Sequence, residues 1–401
     1  MDATASLPFF RRSHGAFTGA HEERISQSLS DGSRGVFDPF LGRGRALFNL
    51  ASESRQIYGI ELLPPVYLLG YLDRPDVILE ADALYGAASE ILRSLRVLDT
   101  KSEPGVFLES WMTPAQDEMF GAIAEAINLR SLPQDWSPAG PDPKLVVAAA
   151  YVCSARLYVA WRRTKNAVWF KRGGVPEERS PAAAAQAFLD VWFERASHTS
   201  RRAPDVRTLC TDATSPALRQ LPRDVSVVVT SPPYANGHNY ARQWAPEAAV
   251  SEALGLETPT ESLIGVSTRS VRPTPAQLGT LPDRARRQLE LIGEADIKDS
   301  ATYYFRRFSS YAIGLQAALA NMDRMLTAPS CEAMFVVRDT SHGDVLFESG
   351  RFIVDTLTGL GWIEEDHDRS VIRAHIGNKR RARATTVGRA QVEHVLHLRR
   401  G

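Results

Sequence analysis

Cysteine is nearly absent from this chain. Cys153, Cys210 and Cys331 are the three in 401 residues, odd in number and far apart. That spacing argues against a disulfide framework or a cysteine zinc site and fits a reducing cytoplasm. No apolar run approaches the length of a membrane-spanning helix, and residues 1–12 hold too short an apolar stretch for a signal peptide. A cytoplasmic protein with no membrane partner is therefore expected. Net charge is missing as well. The 47 basic side chains balance the 47 acidic ones, so no global positive field announces nucleic acid. There is no internal repeat and no low-complexity tract. With 44% hydrophobic and 23% charged residues, the composition is that of an ordinary folded protein. Its length suits one large α/β domain with insertions, or two domains.

What the chain does have is an order of elements. Gly35-Val36-Phe37 reads as a short strand running into Asp38-Pro39-Phe40-Leu41-Gly42-Arg43-Gly44. A helical pattern over about 45–54 follows, with Ala46, Leu47 and Leu50 on one face, and then a strand from Ile57 to Glu61. Strand, glycine turn, helix and a strand ending in an acid make the first half of a nucleotide-binding α/β unit. From about Asp73 to Ser200 helical periodicity takes over, in 81–95, 117–129 and 143–161, with proline-rich breaks. Strand signals return at 206–210 and 225–229. The polar stretch 257–300 is expected to be a long excursion from the core. A helix over 303–326, a strand over 333–337 and a helix over 347–360 follow. Strands at 370–375 and 392–398 then read as a terminal hairpin around a long basic loop. A main domain of 1–72 and 201–401, interrupted by a helical insertion over 73–200, is the organisation expected.

Two constellations carry chemistry. Asp38 and Glu61 stand about 20 residues apart, as a glycine turn does from an acid that grips ribose hydroxyls. Gly42 and Gly44 lack a third glycine, and an ordinary tight turn explains them equally well. A carboxylate at Asp38 would repel a pyrophosphate, so the cofactor it suits is cationic or zwitterionic, such as S-adenosylmethionine. Glu61 would then take the ribose hydroxyls, and Asp212 would accept from the adenine amino group. Taken alone, Asp212 reads as a helix cap or turn residue. The second constellation is Thr230-Ser231-Pro232-Pro233-Tyr234, directly after an apolar β-branched run. Two prolines end sheet pairing and hold a rigid extended turn. With a polar residue before them and an aromatic one after, they form either a clamp for a flat ring bearing an amino group or a plain loop start with Tyr234 in the core.

Taken together, Phe37-Asp38-Pro39-Phe40-x-Gly42-x-Gly44, Gly59-Ile60-Glu61, Thr211-Asp212-Ala213 and Thr230-Ser231-Pro232-Pro233-Tyr234 resemble the amino-methylating DNA methyltransferases. The likeness covers about 10–70 and 205–400, with the cofactor half before the catalytic half. It implies a Rossmann-like α/β fold, with a seven-stranded, mostly parallel sheet and a terminal antiparallel hairpin. It assigns Phe17, Asp38, Pro39, Phe40, Gly42, Gly44, Glu61, Asp212 and Thr230 to S-adenosylmethionine and Ser231, Pro232, Pro233 and Tyr234 to catalysis. In this family a serine at the first catalytic position usually accompanies cytosine-N4 methylation, so Ser231 favours cytosine-N4 over adenine-N6. An RNA base amine is a further alternative, as is a nucleic-acid-binding protein with a degenerate cofactor pocket. Carbon-5 methylation needs a Pro-Cys nucleophile, which is missing; Cys210 and Cys331 are expected to be buried.

Partners follow from the same likeness: double-stranded DNA, with a cognate endonuclease or other defence-system subunits in a bacterial restriction-modification setting. Asn236, with His238, Asn239 and Tyr240, extends the catalytic segment along the substrate. The basic run Lys379, Arg380, Arg381 and Arg383 is expected to hold DNA phosphates. Recognition of the target would fall to the helical insertion, with Arg162, Arg163, Lys165 and Lys171, or to 267–287. Two departures stand out. Arg45 occupies a position where the family has a small hydroxyl residue, and the segment around Phe17 matches only loosely.

Overall fold

The computed structural model describes residues 19–30, 32–44, 47–48, 56–99, 111–129, 132–133, 135–136, 140–163, 170–173, 180–197, 204–235, 240–257, 263–264, 272–372 and 391–401. Its strands are β1 (Gly35–Asp38), β2 (Gln56–Glu61), β3 (Trp161–Arg163), β4 (Phe170–Arg172), β5 (Asp205–Cys210), β6 (Val225–Thr230), β7 (Cys331–Arg338), β8 (Thr340–His342), β9 (Val345–Phe347), β10 (Ile363–Ile372) and β11 (Gln391–Arg400). The helices are α1 (Gly19–Leu29), α2 (Pro64–Asp73), α3 (Pro75–Leu79), α4 (Ala81–Leu95), α5 (Pro114–Ala126), α6 (Pro143–Tyr158), α7 (Pro181–Ser197), α8 (Tyr240–Gln243), α9 (Ala245–Ala253), α10 (Pro275–Gly279), α11 (Asp283–Glu294), α12 (Phe305–Met325) and α13 (Ser349–Thr358).

Seven strands form one sheet in the order β10-β11-β7-β6-β1-β2-β5. Pairs β1–β6, β2–β5 and β6–β7 are parallel, whereas β11 lies antiparallel to both β7 and β10. This is the Rossmann-like α/β architecture expected from the motifs, a mostly parallel seven-stranded sheet with a terminal antiparallel hairpin. The chain lays down β1, builds outward through β2 and β5, then returns to set β6 on the other edge of β1. That reversal makes β1–β6 the topological switch point, where α/β sheets open a crevice at the strands' carboxyl ends. Every residue of β1 and β6 is buried, as parallel strands covered on both faces require.

The chain divides into two compact units. The first comprises 1–16, 41–212 and 239–260 and packs its core around α6. Asp142 starts that helix by accepting from the Lys144 amide at 2.8 Å, with Pro143 at the first helical position. Residues Leu145 to Ala155 are all buried. At the end of α6, Arg156 pairs with the fully buried Glu247 of α9 at 2.5 Å and lies over the Phe170 ring at 4.3 Å. The helical pattern suggested a run to residue 161, but α6 stops at Tyr158 because Val159 turns extended. The indole Nε1 of Trp161 then donates to the Arg156 carbonyl at 2.6 Å. Part of the basic cluster 162–172 belongs to the hairpin β3–β4, built on an edge-to-face contact between Trp161 and Phe170.

The second unit comprises 17–40, 213–238 and 261–401. Its polar stretch 257–300 is not simply an excursion: it contains α10 and α11. Pro275 is the first residue of α10, behind a Thr274–Gln277 capping box, and Pro282 precedes α11. Ala285, Leu289 and Ile292 bury one face of α11. Strand β10 starts at Ile363, seven residues earlier than the hydrophobic pattern indicated. It is an edge strand, and its charged sequence Glu364-Glu365-Asp366-His367-Asp368-Arg369 suits an edge that must not pair with another chain. Among the described residues no helix is long and apolar enough to cross a membrane.

Breaking the Arg156–Glu247 pair from one side leaves a buried charge uncompensated. Arg156→Ala is expected to cost about 3–5 kcal/mol in urea unfolding, whereas Arg156→Met with Glu247→Leu is expected to cost far less.

Candidate active site

The switch point is closed by one hydrogen bond. Asp38 ends β1, Thr230 ends β6, and the Thr230 hydroxyl donates to Asp38 Oδ1 at 2.6 Å. The same oxygen accepts the Phe40 amide at 2.9 Å, so Asp38 also shapes the turn that leaves the strand. Among the described residues nothing hydrogen-bonds Oδ2. Thr230 is fully buried and Asp38 is 9% exposed. Burial pushes the Asp38 carboxyl up to about 7, against the opposing pull of its two donors.

Directly after Thr230 the chain runs through Ser231, Pro232, Pro233 and Tyr234 without regular structure, on the same carboxyl edge. Ser231 Oγ and the Tyr234 hydroxyl lie 3.4 Å apart. Burial raises the Tyr234 pKa, so the phenol stays protonated. The Arg338 guanidinium, from the carboxyl end of β7, sits 5.2 Å from the centre of the Tyr234 ring. Glu393, opposite it on β11, holds that guanidinium at 3.2 Å. Asp38, Thr230, Ser231, Pro232, Pro233 and Tyr234 are thus gathered at one end of two neighbouring strands.

Of the remaining predicted residues, Gly42, Gly44, Glu61 and Asp212 belong to the first unit, whereas Pro39 and Phe40 belong to the second. Gly42 and Gly44 have φ of +56° and +68°, the left-handed region glycine favours. A Cβ on Gly44 would also stand 2.5 Å from the Phe48 ring. Between them Arg43 turns away to Asp73 at 2.7 Å, which neutralises its charge. Glu61, at the end of β2, accepts the Leu63 amide on Oε1 at 2.8 Å. Asp212 follows β5, and the neighbouring Thr211 amide donates to the Glu61 carbonyl at 3.0 Å. Pro39 and Phe40 lie in the turn after β1.

Phe17, Arg45, Lys165, Asn236, His238, Asn239, Lys379, Arg380, Arg381 and Arg383 lie outside the described residues. Sequence reasoning missed Arg338 and Asn321. Asn321, on α12, donates to the Ala213 and Ser215 carbonyls at 2.7 and 2.8 Å, fixing the loop beyond β5. Neither carries a motif of its own; only the β7–β11 register and the helix packing bring them forward. An open cavity of about 600 Å³ on the first unit, lined by residues including Trp111, Asp117, Arg172 and Glu252, contains none of the predicted residues.

No protein-family model matches the chain, and no curated protein matches it. Solved structures do, 14 chains in all. One is the rRNA methyltransferase aviRa from Streptomyces viridochromogenes. It is 12% identical, with 99% of this chain and 92% of that one covered, at a TM-score of 0.29. The fold assignment rests on the strand order, not on that likeness.

Because folding raises the Asp38 pKa, its contribution to stability is fully present below about pH 4 and is lost as pH rises through about 7. Relative to Asp38→Asn, the wild-type protein is expected to lose up to ~4 kcal/mol across that window, read from urea midpoints at each pH.

Proposed function

We propose that this chain is an S-adenosylmethionine-dependent methyltransferase acting on the exocyclic amine of a nucleic-acid base, with cytosine-N4 in double-stranded DNA as the first substrate to test. The observation that carries the reading is the Ser231-Pro232-Pro233-Tyr234 segment leaving β6 at the switch point beside Asp38.

The donor set fits such a cofactor. Asp38, Glu61 and Asp212 are carboxylates at or just beyond strand ends, Arg43 is neutralised by Asp73, and the positive φ of Gly42 and Gly44 tightens the turn. Each of these carboxylates would repel a pyrophosphate and accept from a cationic or hydroxyl-bearing ligand, and the family resemblance gives Glu61 to the ribose and Asp212 to the adenine amino group. When bound, S-adenosylmethionine supplies an electrophilic methyl group.

The chain's own residues then solve one problem, the poor nucleophilicity of a base amine whose lone pair is delocalised into the ring. The Ser231 hydroxyl and the Pro232 carbonyl accept the two amino hydrogens, return electron density to nitrogen and aim its lone pair. Pro233 keeps that carbonyl in place by fixing the turn. Tyr234 stacks on the base once it has left the duplex. Placement and hydrogen bonding supply the rate, and no covalent intermediate is needed. A thiolate route has no support, because Cys153, Cys210 and Cys331 are buried and burial raises each thiol pKa. A bacterial defence setting with a cognate endonuclease remains part of this reading through the family resemblance.

Calorimetry with S-adenosylmethionine is the first test, and no binding would overturn the enzyme reading. Affinity is expected to rise as pH passes from about 6 to about 8, because a cation at Asp38 requires the carboxylate ionised. Digestion of DNA and RNA after exposure to protein and cofactor, with the modified nucleoside identified by mass, separates N4-methylcytosine from N6-methyladenine. Tyr234→Ala is expected to abolish turnover and leave cofactor affinity within about threefold; equal loss of both would make Tyr234 structural.

A further inference from the structure

The second unit carries a buried cation that pairs with no carboxylate among the described residues. Arg307, in the first turn of α12, is 8% exposed, and its Nε has no hydrogen-bond partner. Its one side-chain hydrogen bond among the groups acting on it is to Tyr303, no carboxylate of the described residues is among them, and burial lowers its pKa. Its surroundings are aromatic. The guanidinium lies 4.6 Å from the centre of the Phe308 ring, 5.0 Å from Tyr304 and 5.9 Å from Tyr303.

This frame is constructed rather than incidental. Ser300–Tyr304 is a π-helical turn, entered through Asp299 at φ +64°, an unusual conformation for a residue other than glycine. Ser300 Oγ and His342 Nε2 lie 2.7 Å apart, and the His342 ring stacks on Tyr304 at 3.9 Å between centroids. Tyr304 in turn lies under Arg307. Tyr303, next to it, is 44% exposed. His342 belongs to the β8–β9 hairpin, which begins two residues after β7 ends. Since β6 and β7 are parallel, that hairpin leaves the sheet from the same edge as Ser231–Tyr234.

A guanidinium removed from water without an anion is costly, and aromatic faces return only part of the loss. A phosphate returns the rest, because its oxygens match the planar fork of arginine and pair with it through charge-assisted hydrogen bonds. We propose that Arg307, framed by Tyr303 and Tyr304, binds a backbone phosphate of nucleic acid and holds the strand beside the Ser231–Tyr234 edge. Tyr303 offers an exposed ring face beside that phosphate for a base to stack on. Such a contact sets register on the strand without reading its sequence. From the proposed function the inference takes only that the substrate is a nucleic acid.

The test is fluorescence anisotropy of the full-length protein with short labelled duplexes of DNA and RNA, in a salt series without cofactor. Arg307→Met is expected to weaken binding about tenfold. It should also reduce the slope of log K against log[salt] by about 0.9, the loss of one phosphate contact. Its melting temperature should equal or exceed that of the wild type, whereas an arginine kept for structure would lower it when removed. Arg307→Lys should restore the salt slope. Arg307→Gln carries the same test if the methionine variant does not fold. Unchanged affinity and slope in a folded variant overturns the phosphate site and leaves the methyltransferase reading standing. A wild-type protein that binds no nucleic acid overturns both. Failure to bind S-adenosylmethionine strikes only the methyltransferase reading, because the anisotropy experiment contains none. Competition by inorganic phosphate that is equally strong against wild type and Arg307→Met would place the ion elsewhere and likewise overturn the site.

Discussion

The hydrogen bond from Thr230 to Asp38 is the constraint that the candidate site depends on. Asp38 and Thr230 are 192 residues apart in sequence, yet each is the last residue of a buried strand, and those strands are neighbours. The bond aligns the two carboxyl ends, so the turn after β1 and the Pro-Pro segment after β6 start from a common level. It also keeps a carboxyl group where solvation is poor. The apolar β-branched residues of β6 make that environment, and the two donors make it tolerable. Sheet packing and the chemistry of the edge are therefore one problem: the same burial that seals the core leaves Asp38 poised near neutrality.

A similar economy governs cations. Arg43 is spent on Asp73, Arg156 on Glu247 and Arg338 on Glu393 and the face of Tyr234. Each places a positive group where a fold needs rigidity and takes its long-range field away. A chain with equal numbers of acidic and basic side chains cannot draw a polyanion by bulk charge. Arg307 differs from these three: among the described residues it lies against aromatic rings and pairs with no carboxylate.

Much of the architecture was readable from residues because it depends on local signals. The β1, β2, β5, β6 and β7 strands are apolar runs next to punctuating residues, and helices such as 81–95 bury a face at three- and four-residue spacing. The readings that failed did so where a residue's role depends on what comes after it. The stretch 257–300 was read as a polar excursion, yet Pro275 and Pro282 start helices within it. The charged β10 had no hydrophobic alternation to betray it, since its pairing with β11 decides its structure. At the site, the strand-end acids and the Pro-Pro segment were visible as motifs. Arg338 and Asn321 were not, because their importance comes from register and packing across long separations, which no window of sequence contains.

The placement of β11 has a temporal consequence. It is the last of the described strands in sequence, yet it lies inside the sheet, with β7 on one side and β10 on the other. During synthesis the earlier strands emerge from the ribosome while the outer edge of β7 is still unpaired. That edge carries Arg338, whose pairing with Glu393 forms only when β11 arrives. The nascent chain must therefore shelter an open, apolar β7 edge until β11 has been made, and such non-local pairing slows folding. The same insertion that completes the sheet also completes the support behind Tyr234, so the candidate site should mature only after β11 has paired.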